Sequence, residues 1–117
     1  MKTSTGALTK SQKRRFDAMY SLGCIACRIA GHGFEPAQIH HILSGGKRIG
    51  HDATIGLCPW HHVGETSFGM PAHEMQAKRG PSMFGKKRAF VEIYGTEAEL
   101  LAMTNELLQK ERRVWTD

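Results

Sequence analysis

The positions of the cysteines constrain this chain more than any other feature of its sequence. Cys24 and Cys27 form a C-x-x-C pair, and Cys58 forms a C-x-x-H pair with His61, so all three cysteines stand at ligand spacing. Each pair can bring two ligand atoms to one ion from a single tight turn, and the two pairs complete a closed tetrahedral site. The sequence therefore predicts a structural Zn²⁺ bound by Cys24, Cys27, Cys58 and His61.

Other interpretations of the same residues stay open at the level of sequence. A C-x-x-x-H spacing would let His62 replace His61 as the fourth ligand. Alternatively, the cysteines are three unrelated thiols beside a surface histidine. A redox-active C-x-x-C is disfavoured because no βαβ pattern surrounds it. A disulfide framework is disfavoured because the number of cysteines is odd.

The length and composition predict one small domain that lies inside the cell. A chain of 117 residues with 40% hydrophobic residues and 13 glycines can bury only a modest core, which gives bound zinc a part in stability. No apolar run approaches the ~20 residues that a bilayer requires. The segment "MKTSTGALTKSQKRR" lacks the apolar region of a signal peptide. We therefore expect a cytoplasmic protein with reduced cysteines and no membrane partner.

The secondary-structure signals predict an α+β chain with helices at both ends. Thr9 and Gln12 form a capping box for an N-terminal helix over about residues 9–22, and Thr96 with Glu99 forms another for the last helix. Residues 23–33 are predicted as a knuckle-like turn. The stretch of about 38–66 is predicted as strand, turn, strand and short helix. Residues 67–85 are predicted as a loop with at most one helical turn, and C-terminal helices cover about 86–112 of a single domain 1–117.

The remaining histidines fall at both ends of the strand–turn–strand–helix segment. The segment carries "IHH" on its first strand, "GH" before "DATI", and "LCPWHH" at the start of its helix, and "FVEIYGTEAELL" follows later. Taken together, these pieces resemble the HNH nucleases, and look most like the RecA-dependent nucleases of the phage Ref type. The resemblance covers roughly residues 20–110. It implies a small zinc-stapled ββα-metal core of the HNH (His-Me finger) type, with flanking helices and long loops.

The resemblance also implies roles for individual residues, position by position. His40 and His62 match ligands of a catalytic divalent ion, His41 matches the general base, and His51 lies at the middle position, which is usually Asn. Asp52 and Thr54 are neighbouring candidates for the role of His51. His73 is a candidate third ligand, because some HNH sites have two ligands on the helical side, although an exposed loop histidine is an equal alternative.

The chemistry of phosphodiester cleavage suits these residue types. A neutral imidazole can accept the proton of water near neutral pH, and a divalent ion stabilises charge on the phosphate. The ion is predicted to be Mg²⁺ or Mn²⁺, with Zn²⁺ also suited to imidazole ligands. The resemblance implies 5′-phosphate and 3′-hydroxyl products, dependence on a RecA filament, and work in recombination inside a bacterial or phage-infected cell.

The charge balance favours an anionic partner. The net charge is +5 and the pI is near 9.4, which is consistent with contacts to the backbone of single- or double-stranded DNA. Lys47 and Arg48, in the turn of the proposed site, are the best candidates for those contacts. A rival hypothesis is a non-catalytic zinc-stapled nucleic-acid-binding module. That module would need the four zinc ligands but would have no use for His40, His41 and His62.

Overall fold

A computed structural model describes residues 7–67 and 69–116, with side chains described as far as residue 110. Within these ranges the chain forms six helices and four short strands. The helices are α1 (Lys10–Leu22), α2 (Ile25–Ala30), α3 (Pro59–Val63), α4 (Ala72–Arg79), α5 (Lys87–Tyr94) and α6 (Glu97–Thr116). The strands are β1 (Gln38–His41), β2 (Leu43–Ser44), β3 (Lys47–Arg48) and β4 (Thr54–Leu57). The predicted α+β class is confirmed, while both ends of the predicted domain 1–117 lie outside the described residues.

Helix α1 begins at a capping box and ends at a glycine. Thr9 Oγ1 accepts a 3.1 Å hydrogen bond from the backbone of Gln12, and Gln12 Oε1 accepts one of 3.0 Å in return. The helix ends at Gly23, which has a φ of 77°. A Cβ there would lie 2.6 Å from the carbonyl oxygen of Glu35, so both the backbone conformation and the space favour glycine. The predicted capping box of this helix is confirmed.

The segment predicted as a knuckle-like turn is a short helix instead. Cys24 caps the start of α2, and its Sγ accepts a hydrogen bond from the backbone N–H of Cys27 at 3.4 Å. The turn that brings the two thiols together is thus the first turn of a helix, and it continues as far as Ala30. The spacing of the cysteines predicted their proximity but not the helical continuation.

The sheet is an antiparallel pair with an extended hairpin tip. Strands β1 and β4 pair with His40 opposite Ile55 and His41 opposite Thr54. Beyond them β2 and β3 pair around the Gly45–Gly46 turn, with Ser44 opposite Lys47. All four residues of β4 are buried, whereas β1 is only partly covered. Strand β1 is therefore the strand whose side chains can be presented at the surface.

Helix α4 lies where the sequence predicted a loop with at most one helical turn, so that prediction is wrong. Eight residues are helical, and Met75 anchors them in the core with 5% exposure. The glycine and proline residues that suggested a loop lie at the ends of the helix: Pro71 precedes its first residue and Gly80 follows its last. Breakers at the boundaries are compatible with a helix between them.

Of the two C-terminal helices, α6 packs on β4 and α1, and α5 packs on α2. Helix α5 ends at Gly95, and α6 is capped as predicted, since Glu99 N–H donates to Thr96 Oγ1 at 3.1 Å and Thr96 N–H donates to Glu99 Oε1 at 2.8 Å. Phe90 and Leu100 are fully buried and join the core cluster of α2, β4 and α3. None of the helices in the described ranges is long and apolar enough to cross a bilayer.

Candidate metal centre and histidine pairs

The three cysteines and His61 meet in the core between α2 and α3. Cys24 and Cys58 each cap one of these helices, and Cys27 and His61 each follow three residues later. The four residues are at most 6% exposed, and their ligand atoms all lie within 4.8 Å of one another. Two short helices with the same capping arrangement thus place four ligands around one point.

The distances between the ligand atoms match a tetrahedron around zinc. His61 Nδ1 lies 3.5, 3.4 and 3.2 Å from the Sγ atoms of Cys24, Cys27 and Cys58, and the last two Sγ atoms are 3.8 Å apart. Zn–S bonds of ~2.3 Å and Zn–N bonds of ~2.0–2.1 Å imply edges of about 3.8 Å and about 3.6 Å. All three cysteines are free thiols. The cluster can therefore hold a metal ion, and zinc fits its ligands and its size.

A second layer of contacts fixes which nitrogen of His61 faces the thiols. Nε2 donates a 2.7 Å hydrogen bond to the carbonyl oxygen of Arg79, the last residue of α4. The Tyr94 hydroxyl donates to the same oxygen at 2.6 Å, and burial, reinforced by the charge of the nearby cysteines, raises the pKa of Tyr94 to about 12. Because Nε2 carries the hydrogen, Nδ1 is left with its lone pair toward the cysteines. The alternative in which His62 is the fourth ligand does not hold, because its ring contacts His40 and Gln38 instead of the thiols.

His62 meets His40 on one face of β1. The two rings are in edge-to-face contact with centroids 5.2 Å apart, and Gln38 Oε1 lies 2.8 Å from His62 Nδ1. One histidine comes from the strand and the other from the helix that follows the strand pair. The structure thus brings together the two residues predicted as ligands of a second ion.

Glu97 contacts His40 and so extends the His40–His62 pair. His40 Nε2 lies 2.7 Å from Glu97 Oε2, and the Lys87 ammonium lies 3.0 Å from Glu97 Oε1. Sequence reasoning does not single out Glu97. The available signal was the "YGTEAELL" segment, in which Glu97 directly follows the helix cap Thr96. Its contact with a strand 57 residues earlier is visible only in the fold.

His41 and His51 form a separate pair on the opposite face of the same strand. His41 Nε2 lies 3.1 Å from His51 Nδ1, and the edge of Phe16 packs against both rings. Adjacent strand residues point to opposite faces, which separates His41 from the ring of His40. The two neighbours considered for the role of His51 are engaged by α1: Asp52 accepts from Gln12 and Thr54 from Arg15. His51 is the member of this group that contacts His41.

The electrostatic surroundings favour the neutral imidazoles of His41 and His62 and the ionised carboxylate of Glu97. Burial, followed by the positive charge of Arg48 and the neighbouring histidines, lowers the pKa of His41 below its ordinary value. Burial and the proximity of His40 likewise lower the pKa of His62. Burial raises the pKa of Glu97, but hydrogen bonds from His40 and Lys87 outweigh it and leave the pKa lowered. Neutral imidazoles can accept a proton or bind a metal ion near neutral pH.

The other predicted site residues lie at the surface. Lys47 and Arg48 form the exposed strand β3 at the hairpin tip. His73 is exposed near the start of α4 rather than in a loop. Among residues 7–67 and 69–110, whose side chains are described, the Cys24–Cys27–Cys58–His61 group is the one set of three or more potential ligands whose atoms lie within 4.8 Å of each other.

The fold and these sites define a small α+β protein with a buried Cys₃His cluster that could hold a metal ion and two histidine pairs on opposite faces of strand β1. Residues 8–109 match the model of a family described as recombination enhancement, RecA-dependent nuclease. The match extends over most of the chain, and the chain belongs to this family. The resemblance to the RecA-dependent nucleases is confirmed, and the family's description indicates a RecA-dependent nuclease in recombination enhancement.

Proposed function

We propose that this protein is a metal-dependent endonuclease of the HNH type that hydrolyses DNA phosphodiester bonds. The observation that carries the proposal is the meeting of His40 and His62, one from strand β1 and one from helix α3, with ring centroids 5.2 Å apart beside His41. Strand, strand and helix follow one another as in a ββα-metal site. Family membership supports the nuclease activity itself.

In this proposal His40 and His62 hold a divalent ion. Such an ion would polarise the scissile phosphate and stabilise the leaving oxygen. Two imidazole ligands favour Mn²⁺ or Zn²⁺ over Mg²⁺, which prefers oxygen ligands. His73 would be a third ligand of the same ion. Its side chain is exposed on α4, so that part of the proposal rests on the sequence.

His41 accepts the proton of the attacking water. Its lowered pKa keeps the imidazole neutral at pH 7, and the contact with His51 holds the ring in one orientation. Strand β1 ends at His41. A phosphate at this end of the strand would face His40 and His62 on one side and His41 on the other. Water attacks phosphorus, the bond to the 3′ oxygen breaks, and the products carry a 5′-phosphate and a 3′-hydroxyl.

The zinc proposed for the Cys₃His cluster has a structural role. All four positions of a tetrahedral ion are filled by buried side chains, which leaves no coordination position for substrate. The ion would join α2 to α3 and so fix the helix that carries His62. Catalysis would then depend on this zinc only through the position of α3.

DNA binding is proposed for the basic hairpin tip. Lys47 and Arg48 are exposed on β3, and Arg48 lies close enough to His41 to lower its pKa. Contacts of this kind bind phosphates with little sequence preference. The RecA filament is proposed as the partner that delivers DNA, and the cytoplasm as the compartment, because the family is RecA-dependent.

The test is a cleavage assay on plasmid and single-stranded DNA with zinc-loaded protein, with Mg²⁺ or Mn²⁺, and with and without RecA and ATP. We expect cleavage, and a loss of about 10²–10⁴-fold in His41→Ala, the usual contribution of a general base. His41→Ala purified in the same way also controls for contaminating nucleases. DNA binding without cleavage in every condition would favour the zinc-containing binding module and overturn the proposal. Undiminished cleavage by His41→Ala would overturn the assignment of the base.

A further inference from the structure

The contact between His40 and Glu97 has the geometry of a carboxylate that orients a metal-binding histidine. His40 Nε2 lies 2.7 Å from Glu97 Oε2, and both side chains are only 18% exposed. A carboxylate oxygen can only accept here, so Nε2 carries the hydrogen. The lone pair of the neutral ring is therefore on Nδ1. Histidine ligands of metal ions commonly donate their second ring nitrogen to a carboxylate or a carbonyl in this way.

The same chain contains an internal precedent. His61 donates from Nε2 to the carbonyl of Arg79 at 2.7 Å and turns Nδ1 toward the three thiols. His40 repeats the arrangement with a carboxylate in place of the carbonyl. An anionic acceptor makes the imidazole more basic than a carbonyl does, and so makes it a stronger ligand.

Glu97 is itself held in place and kept ionised. It is the first residue of α6, where the helix dipole favours a negative charge. Lys87 of α5 contacts Oε1 at 3.0 Å, while Oε2 remains with His40. The carboxylate thus joins two C-terminal helices to the strand that carries His40. Each of its oxygens contacts a protein side chain.

We infer that Glu97 is a positioning residue of the second metal centre, which fixes the Nε2–H form of His40 so that Nδ1 is available to a divalent ion. The inference rests on the proposed function for the metal centre and adds a residue from outside the strand–strand–helix segment. The "YGTEAELL" segment then has a specific role: Thr96 caps α6 and so places Glu97 at the first residue of the helix, next to His40.

The first test measures the tautomer directly and requires no bound ion. In ¹⁵N-edited NMR spectra at pH 8, the His40 ring of the zinc-loaded protein should show the Nε2–H form with a hydrogen-bonded, slowly exchanging Nε2 proton, and Glu97→Ala should expose that proton to fast exchange with water. A dominant Nδ1–H form in the unaltered protein would overturn the inference. Retention of a slowly exchanging Nε2 proton in Glu97→Ala would overturn it as well.

The second test measures Mn²⁺ affinity by electron paramagnetic resonance. Glu97→Ala should weaken binding by about 10–100-fold, as outer-shell partners of metal ligands commonly do. Glu97→Gln, which retains an acceptor without the charge, should lose less, and zinc content and melting temperature should stay unchanged. The matched control is Glu106→Gln, a glutamate of the same helix that pairs with Lys110 at 3.8 Å, and it should bind Mn²⁺ normally.

The outcomes separate this inference from the proposed function. If His40→Ala and His62→Ala abolish Mn²⁺ binding while Glu97→Ala binds normally, the metal centre stands and the role of Glu97 is overturned. If both histidine variants bind Mn²⁺ like the unaltered protein, the metal centre itself is overturned, and the role of Glu97 with it. Should Glu97→Ala fail to fold, the isosteric Glu97→Gln supplies the same comparison.

Discussion

His61 donates a 2.7 Å hydrogen bond to the backbone carbonyl of Arg79, at the end of the helix that the sequence did not predict. Helix α4 therefore supports the Cys₃His cluster without supplying a ligand. Tyr94 of α5 donates to the same carbonyl oxygen, so four helices converge on one potential metal ion. A disturbance of the cluster should consequently be felt throughout the fold.

Loss of one thiol should unfold the chain. Cys58→Ser removes a ligand but retains a side-chain oxygen that can cap α3, so the substitution isolates the metal-binding role of the residue. Structural zinc contributes an apparent ~10–16 kcal/mol in small zinc-finger peptides, which matches or exceeds the ~5–15 kcal/mol stability of typical domains. We expect well below one zinc per chain by elemental analysis and no cooperative melting by circular dichroism.

The matched control for this experiment is His62→Ala. Its imidazole lies next to the ligand His61 in sequence but contacts Gln38 and His40 instead of the thiols. Zinc content and melting should remain close to those of the unaltered protein. A full zinc content in Cys58→Ser would contradict the tetrahedral assignment.

Neutralising Arg48 should raise the pKa of His41. Burial is the largest cause of the lowered pKa, and the charge of Arg48 is the next. With Arg48→Gln the imidazole should take up its proton at higher pH, and the acid limb of the cleavage profile should move in the same direction. Proton NMR titration of the His41 ring measures the shift, and Lys47→Gln is the control for general loss of surface charge. An equal shift in both variants would show that Arg48 has no specific effect.

The lowered pKa values also predict how stability depends on pH. His41 and His62 bind protons less readily in the folded chain than in the unfolded chain, where their pKa is about 6.5. Their effect is absent above that value, where both states hold the neutral ring. As the pH falls below it, the unfolded chain gains protons first, so the free energy of unfolding should decrease. Urea denaturation of zinc-loaded protein at pH 7.5 and pH 5.5 measures the decrease in the free energy of unfolding. This decrease should be smaller in the double variant His41→Gln with His62→Gln.

The hairpin tip should contribute to DNA affinity in a salt-dependent manner. Removal of one phosphate-binding charge should reduce the slope of log affinity against log salt by about 1, so Lys47→Gln with Arg48→Gln should reduce it by about 2. Fluorescence anisotropy with a labelled oligonucleotide at several salt concentrations gives the slope. Lys110→Gln, on an exposed position of α6 paired with Glu106, is the control and should leave the slope unchanged. An unchanged slope in the double variant would remove the hairpin from the DNA interface.

Local signals in the sequence predicted much of this fold. Both capping boxes, at Thr9 and Thr96, are present because they depend on residues three positions apart. The strand pair β1–β4 and the zinc-ligand pairs follow from short patterns of the same kind. Family membership was also accessible, because motifs such as "LCPWHH" and "YGTEAELL" are contiguous.

The remaining features depend on tertiary contacts that no local pattern contains. Helix α4 exists because Met75 finds a place in the core, although glycine and proline surround it. The approach of Glu97 to His40 joins residues 57 positions apart. The division of His40 and His41 between two faces follows from strand geometry, but the partners on each face, Glu97 and Phe16, are set by the packing of α6 and α1.

Replacing His51 by Asn should preserve activity better than replacing it by Ala. The amide atoms of Asn lie at the same number of bonds from Cβ as His Nδ1, the atom that is 3.1 Å from His41 Nε2. Asn can therefore keep this hydrogen bond, whereas Ala removes it and frees the His41 ring. Loss of one such bond costs about 1 kcal/mol, so His51→Ala should reduce the rate of cleavage by roughly fivefold to tenfold through poorer orientation of the base. Single-turnover cleavage measures the effect, and His51→Ala added to His41→Ala should bring no further loss. Equal rates for the Asn and Ala variants would show that the contact between the two rings does not orient the base.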